Sequence, residues 1–172
     1  KMAQTDIFVL MGQCQYEKNG YQNRFNIGNK WFTMSTNRGM TPIIGKKYLS
    51  PEKDWIKIKS GLPEYRKILD RFDDCISDNL WLTNSKIILR IACILGIYPT
   101  PTMIRSDYPT GLIKSERLCD IVKHYKGNSY LSGTSGEKYL DMILFNNEKI
   151  DVTFQQNPTN KPILEHLNEI IK

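Results

Sequence analysis

The 172-residue sequence has no apolar run that could cross a bilayer: the longest, within residues 87–97, is broken by Arg90 and falls short of the roughly 20 residues a spanning helix needs. It has only two histidines, His124 and His166, each on a predicted helix with no partner at metal-ligand spacing. Its four cysteines, Cys14, Cys75, Cys93 and Cys119, show neither metal nor redox spacing, so buried reduced thiols in a cytoplasmic protein are the expectation. Cys14 beside a strand end would need a base to act as a nucleophile, and neither histidine can be placed next to it from sequence. There is no arginine-rich helix or arm. The net charge of +6 therefore favours lysines dispersed over a solvated surface above a dedicated nucleic-acid face, although a pI near 9.1 suits an anionic partner. Repeats and low-complexity tracts are absent. Met2 rather than a first-position methionine precedes an almost immediate apolar strand, which leads us to expect that the sequence lacks its native N-terminal segment.

With 40% hydrophobic and 24% charged residues, the chain has enough apolar matter for one domain with its own core. The run DIFVLM, residues 6–11, predicts a strand buried on both faces. Alternating stretches around Gly28 and Asn29 predict a hairpin over about residues 22–35, followed by a breaker-rich loop with Gly39, Pro42, Gly45 and Pro51. Helical spacing begins at Trp55 and is divided by Gly61-Leu62-Pro63. A second helix is expected to be capped by Asn84 or Ser85, to present Ile87, Ile88, Ile91, Ile94 and Leu95 to a core, and to stop at Gly96. TPTMIRS then reads as a strand, KSERLCDIVKHYKG as a helix, SYLSG as a strand, EKYLDMILFNN as a helix and KIDVTFQQ as a strand. Strands separated by helices predict an α/β fold in a single domain: a mostly parallel sheet with flanking helices plus an N-terminal β-hairpin.

In such a sheet, ligands collect beyond the carboxyl ends of the strands, where loops and helix N-termini meet. Three segments are expected there. The first is Gly12-Gln13-Cys14-Gln15, and beside it the polar cluster of Gln15, Lys18, Gln22, Asn23 and Arg24, with amides and cations between aromatics, suits a polar ligand such as a sugar or nucleotide; Gln22, Asn23 and Arg24 are expected to face the same cleft as Arg105 and Ser106. The second holds Arg105 and Ser106. Its guanidinium has the planar fork that grips phosphate or carboxylate, with an ion pair to Asp107 as the alternative. The third is SGTSG, with Ser132, Gly133, Thr134 and Gly136: two glycines at a strand-to-helix junction could turn backbone N–H groups toward an anion, in glycine-only conformations. An ordinary turn capped by Ser135 or Thr134 explains the same residues. No catalytic residue, metal or cofactor is assigned.

Assembled, these residues resemble the WbqC-like family, which is associated with O-antigen and other surface-polysaccharide gene clusters. The resemblance is carried by DIFVLMGQCQYEKNGYQNRFNI, with Cys14-Gln15-Tyr16, Lys18-Asn19 and Tyr21-Gln22-Asn23-Arg24, by LGIYPTPTMIRSDYPTGLIKSERLCDI, and by YLSGTSGEKYLDMILFNNEKIDVTFQ. It spans most of the chain. Two departures stand out: the His-Gln-Pro-x-Tyr opening is missing, and Gly12-Gln13 replaces an acidic pair. The resemblance implies a surface-polysaccharide biosynthesis protein, an acyl or aminoacyl transferase acting on a nucleotide-linked amino sugar. Its expected partners are that sugar nucleotide and an acyl or aminoacyl donor. The alternative is a noncatalytic module that binds nucleic acid or a glycan.

Overall fold

A computed structural model describes residues 1–98, 100–104, 111–156 and 162–171, with residues 100–104 described at the backbone. In chain order the elements are β1 (Ile7–Met11), β2 (Arg24–Ile27), β3 (Lys30–Thr33), α1 (Pro51–Ser60), α2 (Arg66–Leu69), α3 (Leu80–Ile94), β4 (Thr100–Ile104), α4 (Lys114–His124), β5 (Ser129–Ser132), α5 (Met142–Asn147), β6 (Asp151–Phe154) and α6 (Ile163–Ile170). Short 3-10 turns link several of them. The chain divides into two compact units. The larger comprises Ile7–Ser106 and Asn160–Lys172, the smaller Lys1–Asp6 and Asp107–Thr159.

The fold is α/β, as the alternation of strands and helices predicts. The expected mostly parallel sheet is not what forms: the described strands make three two-stranded sheets, β1 with β4, β2 with β3, and β5 with β6. The first and third are parallel, joined through helical crossovers, and the second is the predicted hairpin, pairing Arg24 with Thr33 and Ile27 with Lys30. The expectation of a strand buried on both faces is not met: β1 keeps only Leu10 buried while its neighbours are half-buried.

In the larger unit the core gathers Tyr16, Phe32, Tyr48, Trp55, Ile58, Phe72 and Leu80, with Leu164 and Leu167 contributed by α6. Burying each such apolar side chain contributes about 1.5–3 kcal/mol. Helix α1 begins four residues before its first predicted position because Pro51 at its first turn is preorganised for a helix and loses no hydrogen bond there. Its Trp55 and Ile58 face inward. A second tie is ionic: Lys59 on α1 reaches Asp70 at 2.9 Å and Asp73 at 2.7 Å, while the Trp55 indole N–H donates to Asp73 at 2.7 Å.

Helix α3 starts at Leu80, not beyond Asn84. Asn79 is its cap, accepting the Leu82 N–H at 2.9 Å and donating its own amide to the Ile44 carbonyl at 2.9 Å. The proposed caps have other uses: Asn84 donates to the Gln22 carbonyl at 2.7 Å, and Ser85 is buried within the helix. The helix ends as its glycine predicts. Gly96 adopts φ +65°, its N–H meets the Cys93 carbonyl and the Ile97 N–H meets that of Ala92, the paired bonds of a Schellman cap.

The smaller unit packs Cys119, Val122, Leu140, Phe145 and Ile150 into its own core beside β5 and β6. The helix expected over EKYLDMILFNN is two pieces. A 3-10 turn covers Thr134–Lys138, and α5 starts afresh at Met142 because Asp141 accepts the Leu144 N–H at 3.1 Å and acts as a new cap.

Candidate functional site

The inner face of the hairpin stacks Phe25 on Phe32, ring centroids 5.5 Å apart, and α3 places Ile87 and Ile91 one turn apart along its core side. Between these elements the larger unit forms a cavity of about 490 Å³ that opens to solvent. Trp55, Phe72 and Leu167 complete an apolar floor, and Gln22, Asn23, Arg24 and Asn84 supply polar lining. Three of the predicted residues thus share one cavity.

Each of the three is wired locally. Asn23 accepts the Tyr16 hydroxyl at 3.0 Å through Oδ1 and donates through Nδ2 to the Met34 carbonyl at 2.8 Å. Gln22 accepts the Glu17 N–H at 2.8 Å. Arg24 lies over the Trp31 ring with its guanidinium carbon 4.2 Å from the centroid, and one terminal nitrogen donates to the Asn19 carbonyl. Its Nε is buried with no hydrogen-bond partner. The amides therefore fold residues 16–24 onto themselves and fix the wall of the cavity.

Gln15 and Lys18 do not line it. Gln15 donates to the Thr41 carbonyl at 3.1 Å, pinning the loop beside it, and Lys18 is exposed. Arg105 and Ser106 lie outside the described residues. Ser132, Gly133, Thr134 and Gly136 belong to the smaller unit.

There the glycines act differently from expectation. Gly133 has φ −75° and Gly136 is not among the positive-φ residues, so neither adopts a glycine-only conformation. No side-chain hydroxyl caps the following turn. Gly136 is required instead by close approach: a Cβ there would run into the completely buried Ser132 side chain and stand 3.2 Å from the Phe154 ring. The glycine spacing therefore reports packing at this junction.

Sequence reasoning missed Lys46. It is 1% exposed, donates to the carbonyls of Asn37 at 2.6 Å and Gly39 at 2.9 Å, and lies 4.4 Å from the Tyr16 ring centroid. Its only trace in the sequence is the alternation with Tyr48, which is also buried and lines the cavity. Burial first, and the neighbouring Tyr16 second, push the Tyr48 hydroxyl well above its ordinary value, so it remains a protonated donor. Among the cysteines, Cys75 and Cys119 are buried and their thiols are raised by that burial, Cys14 is half-buried, and Cys93 is exposed, contrary to the apolar run around it. Among the described residues, no group of three or more His, Cys, Asp or Glu side chains could hold a metal ion, and no helix is long and apolar enough to cross a membrane.

The fold and cavity define an α/β protein with a largely apolar ligand-sized chamber in its larger unit. The chain belongs to the WbqC-like protein family, which matches residues 1–162. It is also similar to a protein of Mycobacterium tuberculosis designated "Uncharacterized protein Rv1507c", 26% identical over a match covering 89% of this chain and 73% of the relative. No solved structure matches. Gly12 is required by close packing: a Cβ there would stand 3.0 Å from the Trp81 ring and 3.2 Å from the Ile44 side chain, so a larger residue could not enter without moving them.

Proposed function

We propose that this protein acts in the cytoplasm in surface-polysaccharide biosynthesis of the O-antigen type, as a transferase that acylates or aminoacylates the amino group of a nucleotide-linked amino sugar. The observation that carries the reading is that Gln22, Asn23 and Arg24, which fall within the residues that match the family, line the cavity of the larger unit. In the reaction the sugar amine attacks the carbonyl carbon of an activated donor, a C–N bond forms, and the bond to the donor's sulfur or oxygen breaks. The amine's proton leaves with the released thiol or hydroxyl group. A cavity of this size suits one small-molecule partner at a time.

The test is incubation of the protein with a panel of nucleotide-linked amino sugars and acyl-coenzyme A or aminoacyl donors, with mass spectrometry of the sugar product. A mass gain equal to the transferred group, lost in Arg24→Gln, supports the reading. A folded protein that gives no product with any pair contradicts it.

One observation favours a noncatalytic binding module as a second reading. Tyr21 is 73% exposed with its ring centroid 5.4 Å from that of Trp31, and Arg24 covers Trp31, an arrangement on which a base or sugar ring could stack. Affinity for single-stranded nucleic acid that falls steeply with salt, without preference for nucleotide sugars, would establish that alternative.

A further inference from the structure

Much of the hydrogen-bonding capacity on the cavity wall is already used within the protein. Asn23 engages both ends of its amide, Asn84 gives an N–H to the Gln22 carbonyl, and the Thr83 hydroxyl is held 3.1 Å from that of Ser77. A sugar ring placed inside would bury several hydroxyls among side chains committed elsewhere, and each unpaired hydroxyl opposes binding. The remaining surface is mostly apolar, with Phe25, Phe32, Trp55, Phe72, Ile87 and Leu167, and Tyr48 and Asn26 add two polar groups to it. Arg24 differs from all of these. It is the one charged residue among the described residues that line the cavity, and its Nε is buried without a partner.

We propose that the cavity takes a linear acyl chain, with the oxygen-bearing head of the chain at Arg24 and its methylenes along the apolar floor. This rests on the acyl-transfer reading and deepens it: the chamber serves the donor's acyl group, and the sugar stays outside. Size agrees. A volume of about 490 Å³ falls within the roughly 300–1,000 Å³ of small-molecule sites. Charge complementarity agrees as well, since a carboxylate or thioester carbonyl supplies the acceptor that the buried Nε lacks.

The test is calorimetric titration with hexanoate, octanoate and decanoate, with decanol as the headless control and decanoyl-coenzyme A as the thioester form. Each added methylene should tighten Kd about fourfold, the equivalent of about 0.8 kcal/mol. Arg24→Gln should weaken decanoate about tenfold and leave decanol unchanged, and Ile87→Trp, which takes up part of the chamber, should weaken decanoate more than hexanoate. Should Ile87→Trp fail to fold by circular dichroism, Ile91→Phe takes its place. Tighter binding of decanoyl-coenzyme A than of decanoate identifies the thioester as the source, and the reverse identifies the free acid. The proposal is overturned if no chain binds, if affinity does not grow with length, or if either substitution leaves decanoate affinity unchanged. A chain series that holds while no sugar product forms removes the transferase reading and leaves this one. Product formation from short acyl donors with no chain-length dependence does the opposite.

Discussion

Lys46 is a cation with 1% exposure that is held by two carbonyls and an aromatic face, and no carboxylate pairs with it among the described residues. Lys46→Met keeps the packing volume but strands the Asn37 and Gly39 carbonyls. Because hydrogen bonds to a charged donor are each worth about 1.5–3 kcal/mol, urea unfolding should show a loss of about 3 kcal/mol. Gly136 is a second position where one atom decides. Gly136→Ala should destabilise the protein by about 1–3 kcal/mol through overpacking, and by less when Ser132→Ala has removed the colliding oxygen. Ionisable residues set the pH range. The hydrogen bond from Lys59 holds the Asp70 carboxyl below its usual value of 3.8, and that from Arg90 does the same for Asp74. A carboxyl lowered in the folded state stabilises above its unfolded pKa and loses that contribution as pH falls through the folded one. Lys59 is raised above 10.5 by Asp73 and Asp70, so its contribution persists through neutral pH and disappears only in strong alkali. Thermal melts should therefore fall off below about pH 4, and the fall should be shallower in Asp70→Asn/Asp74→Asn.

At the scale of elements, three helices end in the same paired bonds but with different residues in the left-handed position. Gly96 closes α3 at φ +65°, whereas α4 and α5 use Lys126 at φ +54° and Lys149 at φ +56°. Glycine reaches that conformation without the Cβ penalty, so Lys126→Gly and Lys149→Gly should each raise stability by about 0.5–1 kcal/mol, and Gly96→Ala should lower it by about 1 kcal/mol, all measurable by chemical denaturation. This explains which boundaries were legible. A glycine stop and the Gly28 turn carry strong local signals, and the end of α3 and the hairpin fall where those signals place them. Asn79 and Asp141 were missed as caps because each competes with nearby polar residues for the same role. The deciding contacts, Asn79 to Ile44 and Asp141 to the Ser115 hydroxyl at 2.9 Å, join residues far apart in sequence.

At the scale of the whole molecule, the order of strands and helices announced the α/β class, but strand pairing did not follow from it. β1 pairs with β4 some ninety residues later and β5 with β6, and no local pattern states that the described pairs stop at two strands. The site was legible in part for a similar reason. Residues 22–24 declare themselves as a polar cluster, while the apolar floor beside them comes from α1, α3, α6 and the hairpin, whose residues look in sequence like ordinary core. The central claim is that ligand enters this cavity in the larger unit. Hydrogen–deuterium exchange with decanoyl-coenzyme A and a nucleotide-linked amino sugar measures it directly. The account predicts that decanoyl-coenzyme A slows exchange in residues 21–34 and 80–94, and that Arg24→Gln raises the ligand concentration needed for that protection about tenfold. Protection confined to residues 129–142, or none at saturating ligand, would contradict it.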